Sequence, residues 1–148
     1  MAISLPKVLG VLLILIAALY IPIYLSLTRE EEDAIEDRIE RIQNSELYVL
    51  LAEVDGYYDC PACSNGKFFL HAGEIYKFGV TMNPSNRYSE QELARWRLEY
   101  VVLKVAPYNE CLIEETLRSA GYRLLPENTR RPKERQLLIP PGSGVKFR

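Results

Sequence analysis

The chain is short of histidine, cysteine and net charge. Its single histidine, His71, leaves one imidazole to serve as a base. Of its three cysteines, Cys60 and Cys63 form one CPAC, so the two-pair pattern of a structural zinc site is missing. Only Cys111 and His71 remain to complete four ligands. A disulfide, favoured in an oxidising compartment, and plain thiols are the other readings of the pair. A thioredoxin-like redox module needs a helix starting at the motif, and Ser64-Asn65-Gly66 breaks one. With 18 Lys and Arg against 20 Asp and Glu, the formal net charge is −2. That removes the overall basic balance typical of nucleic-acid binders. No internal repeat is present.

Charge is also missing locally. Residues 8–27, VLGVLLILIAALYIPIYLSL, carry none. Twenty such residues at about 1.5 Å each span a bilayer core of about 30 Å. A cleaved signal peptide would have a shorter apolar run with small residues behind it. Here Ala17-Ala18 falls mid-run, so the reading is an uncleaved anchor, residues 1–28. Pro22 is tolerated in a membrane helix, and Tyr20 and Tyr24 suit the interface. Lys7 on one side and Arg29, Arg38 and Arg41 on the other leave its sidedness open.

Residues 29–45 read as a charged helical stalk. Thr28 and Glu31 match a capping box, and Ile35, Ile39 and Ile42 recur at helical spacing. Residues 47–54 read as a buried strand. Residues 55–67 read as a loop, marked by Asp-Gly and Asn-Gly, and residues 68–81 resume strand character around a turn at Ala72-Gly73. Ser89 and Glu92 form a second capping box, opening a helix expected to run through Tyr100. Residues 101–107 form another strand. Asn109 is placed to cap a helix that Gly121 stops. Residues 131–148 form a basic tail rich in Pro and Gly. The order predicts an α+β fold with a small, mainly antiparallel sheet flanked by helices.

Five pieces then stand in a familiar order: ELYVL at 46–50, YKFGVT at 76–81, Arg87, IEETL at 113–117 and GYRLLPEN at 121–128. Together they resemble the GIY-YIG nuclease superfamily, in the branch with a KIG-type second motif, over residues 46–130. Tyr48 stands at the motif tyrosine, and Lys77 where many members have a second tyrosine. Glu46-Leu47 replaces Gly-Ile, and the CPAC segment fills a long gap between the two motifs.

The resemblance implies a membrane-anchored, metal-dependent endonuclease that hydrolyses DNA phosphodiesters. Its location would be the bacterial inner membrane, crossed once. Glu114 would hold Mg²⁺ or Mn²⁺. Arg87 would fork onto the phosphate. Tyr48 would be a base if a neighbouring cation lowered its pKa, with Lys77 as that cation or a phosphate contact. Asn128 would orient phosphate or water, and His71 is a rival base. These groups should converge on one face. The alternative is a GIY-YIG-like domain that no longer cuts and serves as a binding or assembly subunit of a membrane complex. Each side chain also has a structural role open to it: packed tyrosine, solvated lysine, surface arginine, ordinary helix glutamate, turn asparagine. Arg130, Arg131, Lys133, Arg135, Lys146 and Arg148 suit a phosphate backbone or anionic lipid headgroups.

Overall fold

The computed structural model describes Tyr20, Pro22 and residues 28–144. The bilayer span expected at 8–27 therefore lies outside the described residues, Tyr20 and Pro22 apart. Among the described residues no helix is long and apolar enough to cross a membrane. The chain divides into two units, Met1–Glu40 and Arg41–Arg148.

Residues 28–43 are helical (α1). Thr28 is itself helical. Ile35, Ile39 and Ile42 keep their helical spacing and are exposed. Ser45 ends the helical stretch: its hydroxyl donates back to the carbonyls of Arg41 and Ile42.

The second unit is α+β, with a small antiparallel sheet flanked by helices. The central strand is β1 (Ser45–Ala52), and its near-continuous apolar run reflects burial on both faces. It pairs with β4 (Ile75–Thr81) on one side and β5 (Leu98–Ala106) on the other, both antiparallel. Alternation sends Tyr48, Leu50 and Ala52 to one face and Leu47, Val49 and Leu51 to the other. The first face packs against Tyr58, Leu70, Tyr88 and Leu93. The second meets α3 (Tyr108–Gly121), where Leu47 packs with Ala106 and Cys111.

The segment expected as a loop at 55–67 contains a strand, β2 (Gly56–Asp59). It pairs with β3 (Lys67–Leu70) as a separate two-stranded sheet. Its tyrosines alternate. Tyr58 turns inward and donates to the carbonyls of Val54 and Arg97, whereas Tyr57 faces solvent. Asp-Gly and Asn-Gly lie at the two sides of β2, the first where it begins and the second in the turn that leads to β3.

Helix α2 (Glu90–Trp96) opens on the Ser89/Glu92 capping box as expected. It stops four residues early because Arg97 takes a left-handed conformation, φ 59°. That conformation frees the Arg97 carbonyl for Tyr58 and for the Glu53 amide. The residues beyond it become the start of β5. Helix α3 begins at Tyr108, with Pro107 before it, so Asn109 is inside and is not the cap. Gly121 has φ −74° and ψ −15°, so nothing about its backbone requires glycine.

Residues 126–144 belong to the second unit and do not hang free. After a short helix α4 (Pro126–Thr129), Arg131 pairs with the buried Glu74 carboxylate and donates to the Glu127 carbonyl. Further on, the Gly142 amide donates to the Tyr76 carbonyl at 2.8 Å, on the outer edge of β4.

Candidate functional site

Tyr48 is fully buried, and its ring lies across Gly79, its register partner on β4. A Cβ on Gly79 would fall 2.4 Å from the Tyr48 hydroxyl oxygen. Gly79 is therefore the floor on which Tyr48 rests. Tyr100 stacks on the same ring at 4.7 Å and 25°, and Tyr88 meets it edge-on at 5.8 Å.

The polar segment after β4 tightens into a 3₁₀ turn at Pro84–Asn86, where proline suits the first helical position. Arg87 follows it and reaches back over the sheet. Its Nε donates to the Tyr48 hydroxyl at 3.1 Å, and its guanidinium lies 5.0 Å over the Tyr88 ring. The Tyr48 and Tyr88 hydroxyls are 3.1 Å apart. Arg87 itself is exposed. One edge of a planar cation is thus fixed by a buried phenol, its face lies over Tyr88, and the residue as a whole stays exposed. Such a group is pre-set for a bidentate anion contact.

Electrostatics decide what Tyr48 can do. Burial, then the Tyr88 hydrogen bond, push its phenol well above the ordinary range, and Arg87 only partly offsets them. Tyr48 keeps its proton and has no exposed surface. It accepts from Arg87, and burial leaves its phenol poorly suited to serve as a base. Arg87 in turn is held still more firmly in the cationic form, chiefly by the Tyr48 hydrogen bond.

The structure does not bring Glu114 to this face. Its Oε1 accepts from Arg118 at 2.8 Å, and its Oε2 lies 3.4 Å from Lys104 Nζ. Lys104 is the register partner of Leu47, on the α3 face, whereas Tyr48 points to the other face. Arg118 and then Lys104 hold the Glu114 carboxyl below its usual range. A carboxylate neutralised by two cations is a poor start for a metal shell. Among the described residues no group of three His, Cys, Asp or Glu side chains could hold a metal ion. As placed, Glu114 offers Mg²⁺ or Mn²⁺ no free carboxylate.

Asn128 is also placed away from any open site. It is buried, its Nδ2 donates to the carbonyls of Leu137 and Arg123, and its Oδ1 accepts from the Leu137 amide. It clamps the polypeptide that follows α4. Lys77 pairs in register with Leu50, and no hydrogen bond or ion pair ties it to Tyr48 or Arg87. It lines a cleft of about 280 Å³ with Phe78, Glu115, Thr116, Ser119 and Ser143. His71 is held by Asp55 at 3.1 Å at the end of β3 and stacks edge-on against Phe69. Cys60 and Cys63 form a disulfide. Cys111 lies buried between β1 and α3, donating to the Ser45 carbonyl, so it does not complete a zinc site.

Three contributors were missed in the sequence. Glu46 accepts from the Tyr100 hydroxyl at 3.0 Å, and Tyr88 and Tyr100 complete the aromatic frame around Tyr48. Alternation from Tyr48 puts Glu46 on its face, and Tyr88 directly follows Arg87. No family model matches the chain, and no curated protein or solved structure matches it.

Proposed function

We propose that this chain is a membrane-tethered binding subunit whose GIY-YIG-like domain holds a DNA phosphodiester without cutting it. The observation that carries the reading is the Arg87–Tyr48 pair. A guanidinium is oriented by a buried, protonated phenol on one sheet face, while Glu114 is engaged with Lys104 and Arg118 on the other. Arg87 supplies charge and bidentate geometry, which suffice for binding. Hydrolysis also needs a base and a group to meet the developing charge. Tyr48 does not supply the base, and the metal ligand is elsewhere.

A second reading, assembly with a protein of a membrane complex, is favoured by Ile113, Leu117 and Leu124, which are exposed on and just after α3. The test is incubation of the full chain in detergent with labelled single- and double-stranded DNA. Mg²⁺, Mn²⁺ and chelator are compared, beside Arg87→Ala and Glu114→Ala. The proposal expects intact DNA throughout, binding that survives the chelator, and loss of binding in Arg87→Ala only. Metal-dependent cutting abolished by Glu114→Ala would restore the nuclease reading. Intact DNA that never binds would leave the protein-partner reading.

A further inference from the structure

The disulfide hairpin is untouched by this function, yet it borders a larger cleft than any other described here. That cleft, about 630 Å³, is lined by the β2–β3 hairpin on one side and residues 131–137 on the other. The two sulfurs are not equivalent. Cys60 is fully buried, whereas Cys63 is half-exposed and lines the cleft. Thiol–disulfide exchange proceeds by attack on a reachable sulfur, so access decides which of the two is attacked. A bridge closing only a Cys-Pro-Ala-Cys ring constrains the unfolded chain less than one closing a long loop. The β2–β3 pairing runs from Gly56–Leu70 to Asp59–Lys67 and does not include either cysteine.

The cleft is also chemically specific. Tyr57 and Phe69 present a T-shaped aromatic pair at 5.3 Å. Lys67, Arg131 and Arg135 bring three cations to the lining against one carboxylate, Glu134. Lys67 is shared with Asp59 and Arg131 with Glu74, while Arg135 has no ion-pair partner among the described residues. The volume lies in the range of small-molecule sites.

We infer that this cleft is a thiol-exchange site for a low-molecular-weight thiol bearing carboxylates, a compound of the glutathione class, with Cys63 as the sulfur attacked. The thiolate attacks Cys63 Sγ, forming a mixed disulfide as the Cys63–Cys60 bond breaks. Cys60 leaves with the electron pair and takes a proton. A second thiolate attacks the small molecule's own sulfur in the mixed disulfide. The bond to Cys63 breaks, and Cys63 leaves as a thiolate and is protonated. Two thiols become one disulfide while Cys60 and Cys63 become two thiols, so atoms and electrons balance. Arg135 is the positioning residue for the carboxylates.

The test uses the full chain as Cys60→Ser and Cys63→Ser, each with its fold checked by circular dichroism. Both are mixed with oxidised glutathione, quenched in acid and mapped by peptide mass spectrometry. The inference expects a stoichiometric adduct on Cys63 in Cys60→Ser and none on Cys60 in Cys63→Ser. Equal labelling of both, or none on Cys63, would overturn it. In the wild type, Arg135→Glu should slow reduction by glutathione about fivefold or more, the scale of one nearby charge interaction in water. Reduction by uncharged 2-mercaptoethanol should be unaffected. Equal slowing of both reagents, or of neither, would remove the assigned ligand class.

Discussion

Gly79→Ala tests the geometry on which the phosphate site rests. The new methyl would sit 2.4 Å from Cζ and from the hydroxyl oxygen of Tyr48, about 1 Å inside an ordinary contact. Tyr48 has little room to retreat, because Tyr100 is stacked on it at 4.7 Å and Tyr88 meets its edge at 5.8 Å. Overpacking of this kind costs about 1–3 kcal/mol. A displaced hydroxyl also loses Arg87, a further cost of about 1 kcal/mol. Against these, alanine is less entropically costly to order in a strand, by about 0.5–1 kcal/mol. The net is about 2 kcal/mol of destabilisation, a fall in Tm of about 9 °C for a domain of this size. Thermal melting of the full chain by circular dichroism measures it, and DNA binding by the folded variant should fall with Arg87 released. A variant that melts within about 2 °C of wild type and binds DNA equally well would refute the claim that Tyr48 is wedged on Gly79 and orients Arg87.

Three other substitutions follow from the same structure. Gly121→Ala should stabilise by about 0.4–1 kcal/mol, because its backbone is right-handed helical and nothing lies within 4 Å of the added methyl; chemical denaturation reads the sign. Arg131→Met should cost about 3–5 kcal/mol, since it strands the buried Glu74 carboxylate. Limited proteolysis should then cut first in residues 131–144, which Arg131 helps to fasten. Glu127→Gln tests a pH dependence. Burial first, and the nearby Glu74 as well, raise the Glu127 carboxyl above its ordinary 4.5. The folded state therefore holds that proton more tightly than the unfolded chain does, so wild-type stability falls as pH rises from 4.5 through the raised value. Glutamine keeps an acceptor for the Ile75 amide and removes this slope. Denaturation curves of the two proteins should diverge above pH 4.5 and converge below it; parallel curves would contradict the assignment.

The central strand was legible in the sequence because its run is apolar and rich in β-branched and aromatic residues. The strand expected at 47–54 overlaps β1 (Ser45–Ala52) over six residues, and Ser89 with Glu92 marked the start of α2. What the sequence concealed was set by distant contacts. The end of α2 depends on a left-handed Arg97 whose carbonyl serves Tyr58, some forty residues away. The β2 strand is only four residues long, and the Asp-Gly, CPAC and Asn-Gly around it read as turn. The candidate site was half legible. Tyr48, Gly79 and Arg87 do meet, since strand register and a short turn fix them. Glu114 does not join them, because helical spacing alone does not say which face of a sheet a helix covers. Asn128, a common turn residue, is buried instead as a clamp on the chain that follows it.

The most direct measurement is fluorescence anisotropy of a labelled single-stranded oligonucleotide titrated with the full chain in chelator over a range of salt. Wild type is compared with Arg87→Ala and Tyr48→Phe. The account predicts binding without metal, weakened in Tyr48→Phe and largely lost in Arg87→Ala. The slope of log affinity against log salt should be shallower by about 0.7 in Arg87→Ala, the value of one phosphate contact. Wild-type affinity and slope preserved in Arg87→Ala would contradict it.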